Sequence, residues 1–208
     1  MGQLSESLDI REESIGDMEG YAHVSIAFEA KRMLEVVAVD RGLGGFVFQE
    51  RRVMPPLRKD YDSIPGHSPM EWPKRFDLSR WGVIVARLNG ERIGGAVIAY
   101  ETLDVVMSEG RCDLAVLWDI RIAPENRGQG VGSALFRAAE SWALVRGCRQ
   151  IKAETQNINI DANRFYARQG CLLGAMNRFS YRDFPGEIQL LWYKDLVARA
   201  QAPETWKG

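Results

Sequence analysis

The chain has 208 residues, 46% hydrophobic and 26% charged, a composition that excludes a disordered, collagen-like or fibrous protein. Lys and Arg total 27 against 28 Asp and Glu, a net charge of −1, so no basic surplus points to nucleic acid. Three cysteines without a C-x-x-C pair and two histidines, His23 and His67, form neither a disulfide scaffold nor a metal-ligand cluster.

At roughly 150 residues per domain, the length predicts a single domain over residues 1–208. The opening MGQLSESLDI lacks the basic and apolar segments of a secretory leader, and Glu6 breaks the myristoylation pattern. No apolar run reaches the ~18 residues of a membrane span. The expected location is the cytoplasm, with reduced thiols and no membrane partner.

Residues 8–13 alternate weakly and predict a first strand. In 16–38, Met18, Tyr21, Ala22, Ile26 and Met33 share a broad helical face, which predicts one or two helices. GFVFQERR, within 42–52, predicts a short strand. Residues 54–77 hold Pro55, Pro56, Pro65, Pro69 and Pro73, which argues for a loop or lid, rather than a linker, since the interleaved Met70, Trp72 and Phe76 would want cover. Residues 81–88 and 92–102 predict a hairpin about Asn89-Gly90, a pair suited to the positive φ angles of a type I′ turn. Leu114–Ile122 is β-rich. Leu135, Ala139, Trp142 and Ala143 mark the apolar stripe of a helix over 131–146, closed by Gly147. Residues 151–155 predict a strand, and 162–169 a helix capped by Asp161 and stopped by Gly170. Two more strands are predicted over 171–180 and 187–194. Strands with helices inserted between them define an α+β, mixed α/β class.

Residues 118–133, WDIRIAPENRGQGVGS, run from a strand through a glycine-rich turn into a helix. That order aims free backbone N–H groups and the helix dipole at one point, where an anion can approach a main chain without side chains. A Walker loop is absent. The dinucleotide fingerprint G-x-G-x-x-G fits Gly128 and Gly130 but finds Ser133 at the third position. The pattern R-x-x-G-x-G fits at Arg127, Gly130 and Gly132.

This pattern, after a strand ending in Ile-x-Pro, resembles the acetyl-CoA pyrophosphate motif of the GCN5-related N-acetyltransferases. A second block, from Glu154 through Asn159 and Ala162 to Phe165-Tyr166, is similar to the family's E-x-x-x-x-N-x-x-A-x-x-F/L-Y pattern. The resemblance covers residues 81–180. Within the family, WDIRIAPENRGQGVGSALF, ETQNIN, RFYARQGC and EIQLLWYKDL look like the streptothricin acetyltransferase branch.

The resemblance implies a GNAT fold: a mostly antiparallel central sheet with a splayed strand pair, flanked by helices. It implies acetyl-CoA as cosubstrate, no metal, and direct attack by a primary amine. Backbone groups of Ile120, Arg121 and Ile122 would hold the pantetheine arm and the thioester carbonyl. Arg127 and the amides of Gly128, Gln129, Gly130, Val131, Gly132 and Ser133 would hold the pyrophosphate. Asn159 matches a cofactor-contacting residue. Tyr166 matches the general acid, a phenol of pKa near 10 that keeps its proton at neutral pH. Glu154 and Asp119 are alternative bases, and Asp119 could instead be an ion-pair partner of Arg121. Strand alternation puts Asp119 and Arg121 on one face, Trp118 and Ile120 on the other. Asp119 and Glu154, with Glu101 or Asp104, would draw a small cationic amine such as the β-lysine amine of streptothricin. Other acceptors in view are a protein N-terminus, a lysine or a polyamine; a different class is a non-catalytic acyl-CoA-binding domain. A monomer or homodimer is expected.

Overall fold

In a computed structural model, residues 8–196 are described; the reading of 1–7 as leaderless lies outside them. Seven strands form one sheet: β1 (Leu8–Glu13), β4 (Gly82–Leu88), β5 (Glu91–Ala99), β6 (Leu114–Ile122), β7 (Gln150–Gln156), β8 (Leu172–Asn177) and β9 (Gln189–Asp195). Their order is β1-β4-β5-β6-β7-β9-β8, and every neighbouring pair is antiparallel except β6 and β7. The β6–β7 crossover is helix α3 (Val131–Val145), as parallel neighbours require.

The predicted hairpin turn is present, with Asn89 at φ 53° and Gly90 at φ 89°. Gly147 and Gly170 also take positive φ where the sequence stops its helices. The stripe on α3 is buried as its spacing predicts: Leu135, Ala139 and Ala143 are fully enclosed, and Trp142 nearly so. Enclosing Leu135 and Phe136 contributes roughly 1.5–3 kcal/mol each. Helix α3 and helix α4 (Ile160–Arg168) cover one face of the sheet. Short helices α1 (Met18–Ala22) and α2 (Trp72–Arg75) cover the other, with Tyr21, Trp72, Trp81 and Trp118 in an aromatic cluster.

Three sequence expectations need correction. Only Met18–Ala22 of 16–38 is helical; Phe28–Ala38 is strand β2, paired with β3 (Phe46–Lys59) in a separate two-stranded ribbon. The ribbon lays only a narrow strip, Leu34, Val36 and Phe48, on Met176, Ile188 and Leu190. Most of its positions therefore feel no alternating burial, and partner pairing decides its conformation. Second, Pro55 and Pro56 lie inside β3, in the bulge between Arg52 (opposite Arg32) and Leu57 (opposite Ala30), where neither has to donate an N–H to β2. The proline-rich loop begins only at residue 60. Third, Asn159, not Asp161, caps α4, its side chain accepting from the Ala162 amide at 3.1 Å.

Candidate active site

Strands β6 and β7 pair only over Leu114–Leu117 and Gln150–Ala153, although β6 continues to Ile122 and β7 to Gln156. Beyond Leu117 and Ala153 they part. β7 leaves with β9, to which it stays paired as far as Gln156↔Gln189. β6 stays with β5 as far as Ile122↔Gly94. The gap opens beside Trp118 and Glu154.

A bulge marks the parting: Val97 faces Asp119 and Ile98 faces Leu117, so Trp118 is an extra residue. It breaks the alternation expected from sequence. Trp118 packs with the Tyr21 cluster, on the same side as Asp119 and Arg121, while Ile120 and Ile122 turn to the α3 side. The Ala123 amide donates to the Ile93 carbonyl at 2.8 Å, which fixes the antiparallel phase. In that phase the backbone groups of Arg121 point to β5, and those of Ile120 and Ile122 point into the gap. The Ile122 carbonyl is already taken, by Nε of Arg127 at 2.9 Å. Of the three residues expected to offer backbone groups, Ile120 offers both, Ile122 its N–H, and Arg121 neither.

The loop after β6 enters α3 through Gly128 at φ 77° and Gly130 at φ 88°, and a Cβ on either would meet open space. Gly130 is the N-cap and supplies no side chain, and the first turn holds no acidic residue. The opening amides of α3 therefore keep their donors and the positive end of the helix dipole. Gly132 is held close: a Cβ there would lie 3.3 Å from both Ile122 and Phe165. The side chains do other work. Arg127 also donates to the carbonyls of Ala27 (3.0 Å) and Ser25 (3.0 Å), tying the loop to the segment before β2. Gln129 donates to the Glu125 carbonyl at 2.9 Å, Ser133 accepts from Gln169 at 2.9 Å, and Val131 points into the core.

Asn159 spends its side-chain oxygen on the α4 cap. Tyr166, in the last turn of α4, is 4% exposed. Its ring sits edge-on to Phe136 and Phe165, with centroids 6.0 and 5.1 Å away. No described group takes its hydroxyl, which is not sealed from solvent. Burial first, then the neighbouring Cys171 and Asp119, push the phenol pKa upward, so it holds its proton.

Asp119 is fully engaged. Its Oδ1 accepts from the Tyr21 hydroxyl at 2.5 Å and from Nε of Arg121 at 2.8 Å; its Oδ2 accepts from Nη2 of Arg121 at 2.8 Å. Arg121, with no side-chain exposure, also grips both oxygens of Asp62 at 2.7 and 3.1 Å and the Val24 carbonyl at 3.2 Å. Burial opposes the Arg121 charge, but Asp119 more than offsets it and raises the pKa. Asp119 is thus the ion-pair partner of Arg121.

Glu154, by contrast, stands at the point where β7 leaves β6. Strand alternation places it on the face opposite α4, since Thr155 beside it bonds Asn163 of α4 at 2.6 Å. Tyr166 and Glu154 therefore flank the gap from opposite faces. Glu154 accepts from the Tyr181 hydroxyl at 2.5 Å and from Gln189 at 2.6 Å. Around it gather Tyr61, Gln156 and, from the proline-rich segment, His67, whose burial lowers its pKa. Sequence reading missed Tyr61, Asp62, Gln156, Tyr181 and Gln189, because they come from four segments, the 60–63 turn, β7, the stretch before β9 and β9 itself, with no common spacing. Glu101 and Asp104 are corrected: they follow β5 at the end where Ala99 pairs with Val116, away from the gap, and Glu101 pairs with Arg80. No group of three or more metal-ligating side chains occurs among the described residues, and no described helix is long and apolar enough to cross a membrane.

A sheet parted between parallel neighbours, with a glycine-led helix at its mouth, sets free strand backbone groups beside an anion-binding helix start, a frame for a group-transfer enzyme that takes a phosphorylated cosubstrate. A family model for the acetyltransferase (GNAT) family matches residues 51–171, and the chain belongs to that family. Streptothricin acetyltransferase A of Bacillus subtilis (strain 168) is 40% identical over 81 residues, 38% of this chain and 47% of that protein. The streptothricin acetyltransferase of Streptomyces lavendulae is 25% identical over 181 residues, 87% of this chain and 90% of that one. The chain thus matches about half the length of the B. subtilis relative and most of the S. lavendulae one. The crystal structure of nourseothricin acetyltransferase superposes with a TM-score of 0.70 at 26% identity, covering 91% of this chain and 99% of that one. A structure from Bacillus anthracis str. Ames, in complex with acetyl coenzyme A, shares the fold at TM-score 0.70 and 22% identity.

Proposed function

We propose that this protein transfers acetyl from acetyl-CoA to a primary amine of a small cationic substrate of the streptothricin type. The observation that carries the reading is the gap itself: free backbone groups of Ile120 between Tyr166 on one face and Glu154 on the other. The α3 amides of Val131, Gly132 and Ser133, opened by Gly128 and Gly130, bind the pyrophosphate. Asn159 stands beside the cofactor arm at the start of α4. The Ile120 N–H polarises the thioester carbonyl and stabilises the oxyanion that forms on attack. Glu154 attracts the substrate ammonium and takes its proton, directly or through one water, which frees the lone pair for attack. Tyr166 gives its proton to the departing thiolate. Asp119 and Arg121 hold β6 in place behind the reacting atoms. The names of the relatives support the streptothricin-type acceptor.

Tyr166→Phe tests the acid. The reading expects kcat to fall at least roughly tenfold with the acetyl-CoA Kd within about twofold. An unchanged rate removes Tyr166 from that role.

A further inference from the structure

We propose that Tyr181 is a positioning residue for Glu154, the last member of a directional hydrogen-bond chain that begins at Tyr61 and is anchored across the gap on Arg121. The inference rests on Glu154 being the base.

The chain runs one way. The Tyr61 hydroxyl donates to Oε1 of Gln156. Nε2 of Gln156 donates to the Tyr181 oxygen at 2.9 Å, and more weakly to Oε1 of Glu154 at 3.4 Å. The Tyr181 hydroxyl then donates to that same Oε1 at 2.5 Å. Every donor points toward the carboxylate, so each bond polarises the next and strengthens the last. The other carboxylate oxygen is held separately, by Gln189 at 2.6 Å, which Ser180 orients in turn at 2.8 Å. A glutamate side chain has three rotatable bonds, and these contacts choose one arrangement.

The far end is fixed on the opposite lip. Tyr61 adjoins Asp62, which accepts from both terminal guanidinium nitrogens, Nη1 and Nη2, of the buried Arg121. Arg121 is on β6; Gln156 and Glu154 are on β7. The 60–63 turn therefore straps the parted strands together on the acceptor face, and its tyrosine sets the base. Behind the strap, Lys59 and Glu187 form a nearly buried pair at 2.6 Å, with Lys59 Nζ 3.5 Å from the centre of the Phe184 ring. The titratable groups facing Glu154 are thus Tyr61 from the turn, His67 from the proline-rich segment and Tyr181 from the segment before β9, with the Lys59–Glu187 pair beyond. Burial first, then Glu154, raise the Tyr181 pKa; burial, Glu187 and Glu154 raise that of Tyr61. Both phenols remain donors across the working pH range.

The test is a double-mutant cycle on kcat and KM with saturating acetyl-CoA and a cationic amine that the wild type acetylates. Tyr181→Phe keeps the ring and removes the donor. With rates normalised to the sites that bind acetyl-CoA, which removes any unfolded fraction, it should lower kcat about tenfold and leave both KM values within about twofold. Tyr61→Phe should cost about threefold alone and little further in the Tyr181→Phe background, because its effect travels chiefly through the missing hydroxyl, the direct Gln156 contact at 3.4 Å being the weaker branch. Gln156→Met, which cuts the chain midway, serves as the second break if Tyr181→Phe does not fold. Independent, multiplying losses overturn the chain. A Tyr181→Phe enzyme within twofold of wild-type kcat, alongside a crippled Glu154→Gln enzyme, overturns the positioning role alone. A Glu154→Gln enzyme at full rate overturns the base assignment and the inference with it.

Discussion

Replacing Arg121 with Met removes a guanidinium that answers two carboxylates, Asp119 and Asp62, and one backbone carbonyl. The side chain is fully enclosed and Asp119 nearly so, which leaves little room for water there, while Asp62, 23% exposed, keeps some hydration. Asp119, 7% exposed, would be left with Tyr21 alone. Removing one partner of a buried ion pair costs about 3–5 kcal/mol, because the remaining charge loses its compensation. At roughly 2–4 °C per kcal/mol for a chain of this size, the melting temperature should fall by about 6–20 °C. Urea unfolding followed by tryptophan fluorescence reports it directly, since Trp72, Trp81 and Trp118 pack beside the network. Adding Asp119→Leu to Arg121→Met should restore part of the loss, since it removes the enclosed Asp119 charge and leaves only the part-exposed Asp62 unpaired. A single variant within about 1 kcal/mol of wild type would refute the view that the Arg121–Asp119 pair is closed to water.

Two other perturbations probe the loop and the first strand. Gly130→Val forces a β-branched residue to φ 88° at the α3 cap and crowds the open approach to its amides. Acetyl-CoA should bind at least about tenfold more weakly by calorimetry, and unchanged affinity would dismiss the helix mouth as the pyrophosphate site. Glu13 is held at a pKa of about 2 by its hydrogen bond to Arg87, against burial and with help from Arg92. Because the folded value lies below the ordinary one, its stabilisation is present at neutral pH and is lost as pH falls from about 4.5 toward 2. Glu13→Gln should flatten the fall in unfolding free energy over that window; an identical slope would contradict the assignment.

The candidate site is legible in the sequence where its residues are close along the chain. The bounds of β6 and the start of α3 follow from one continuous stretch, in which an apolar run covered on both faces meets a glycine turn. Glu154, Asn159 and Tyr166 lie within 13 residues, so their spacing is visible in one dimension. The bulge at Trp118 is not, since it depends on how β5 registers with β6, and it reverses which side Trp118 takes. Nor is the acceptor face. Tyr61, Tyr181 and Gln189 are brought to Glu154 only when the ribbon folds over β8 and β9 and the 60–63 turn reaches Arg121. The ribbon itself misleads because its residues have helical spacing but owe their conformation to a partner strand.

The most direct measurement mixes the purified protein and acetyl-CoA with streptothricin, an aminoglycoside, spermidine and a lysine peptide in turn, following free CoA and the mass of each product. The account predicts a monoacetylated streptothricin, formed far faster than any other product and lost with Tyr166→Phe. Acetyl-CoA bound but no amine acetylated would contradict it.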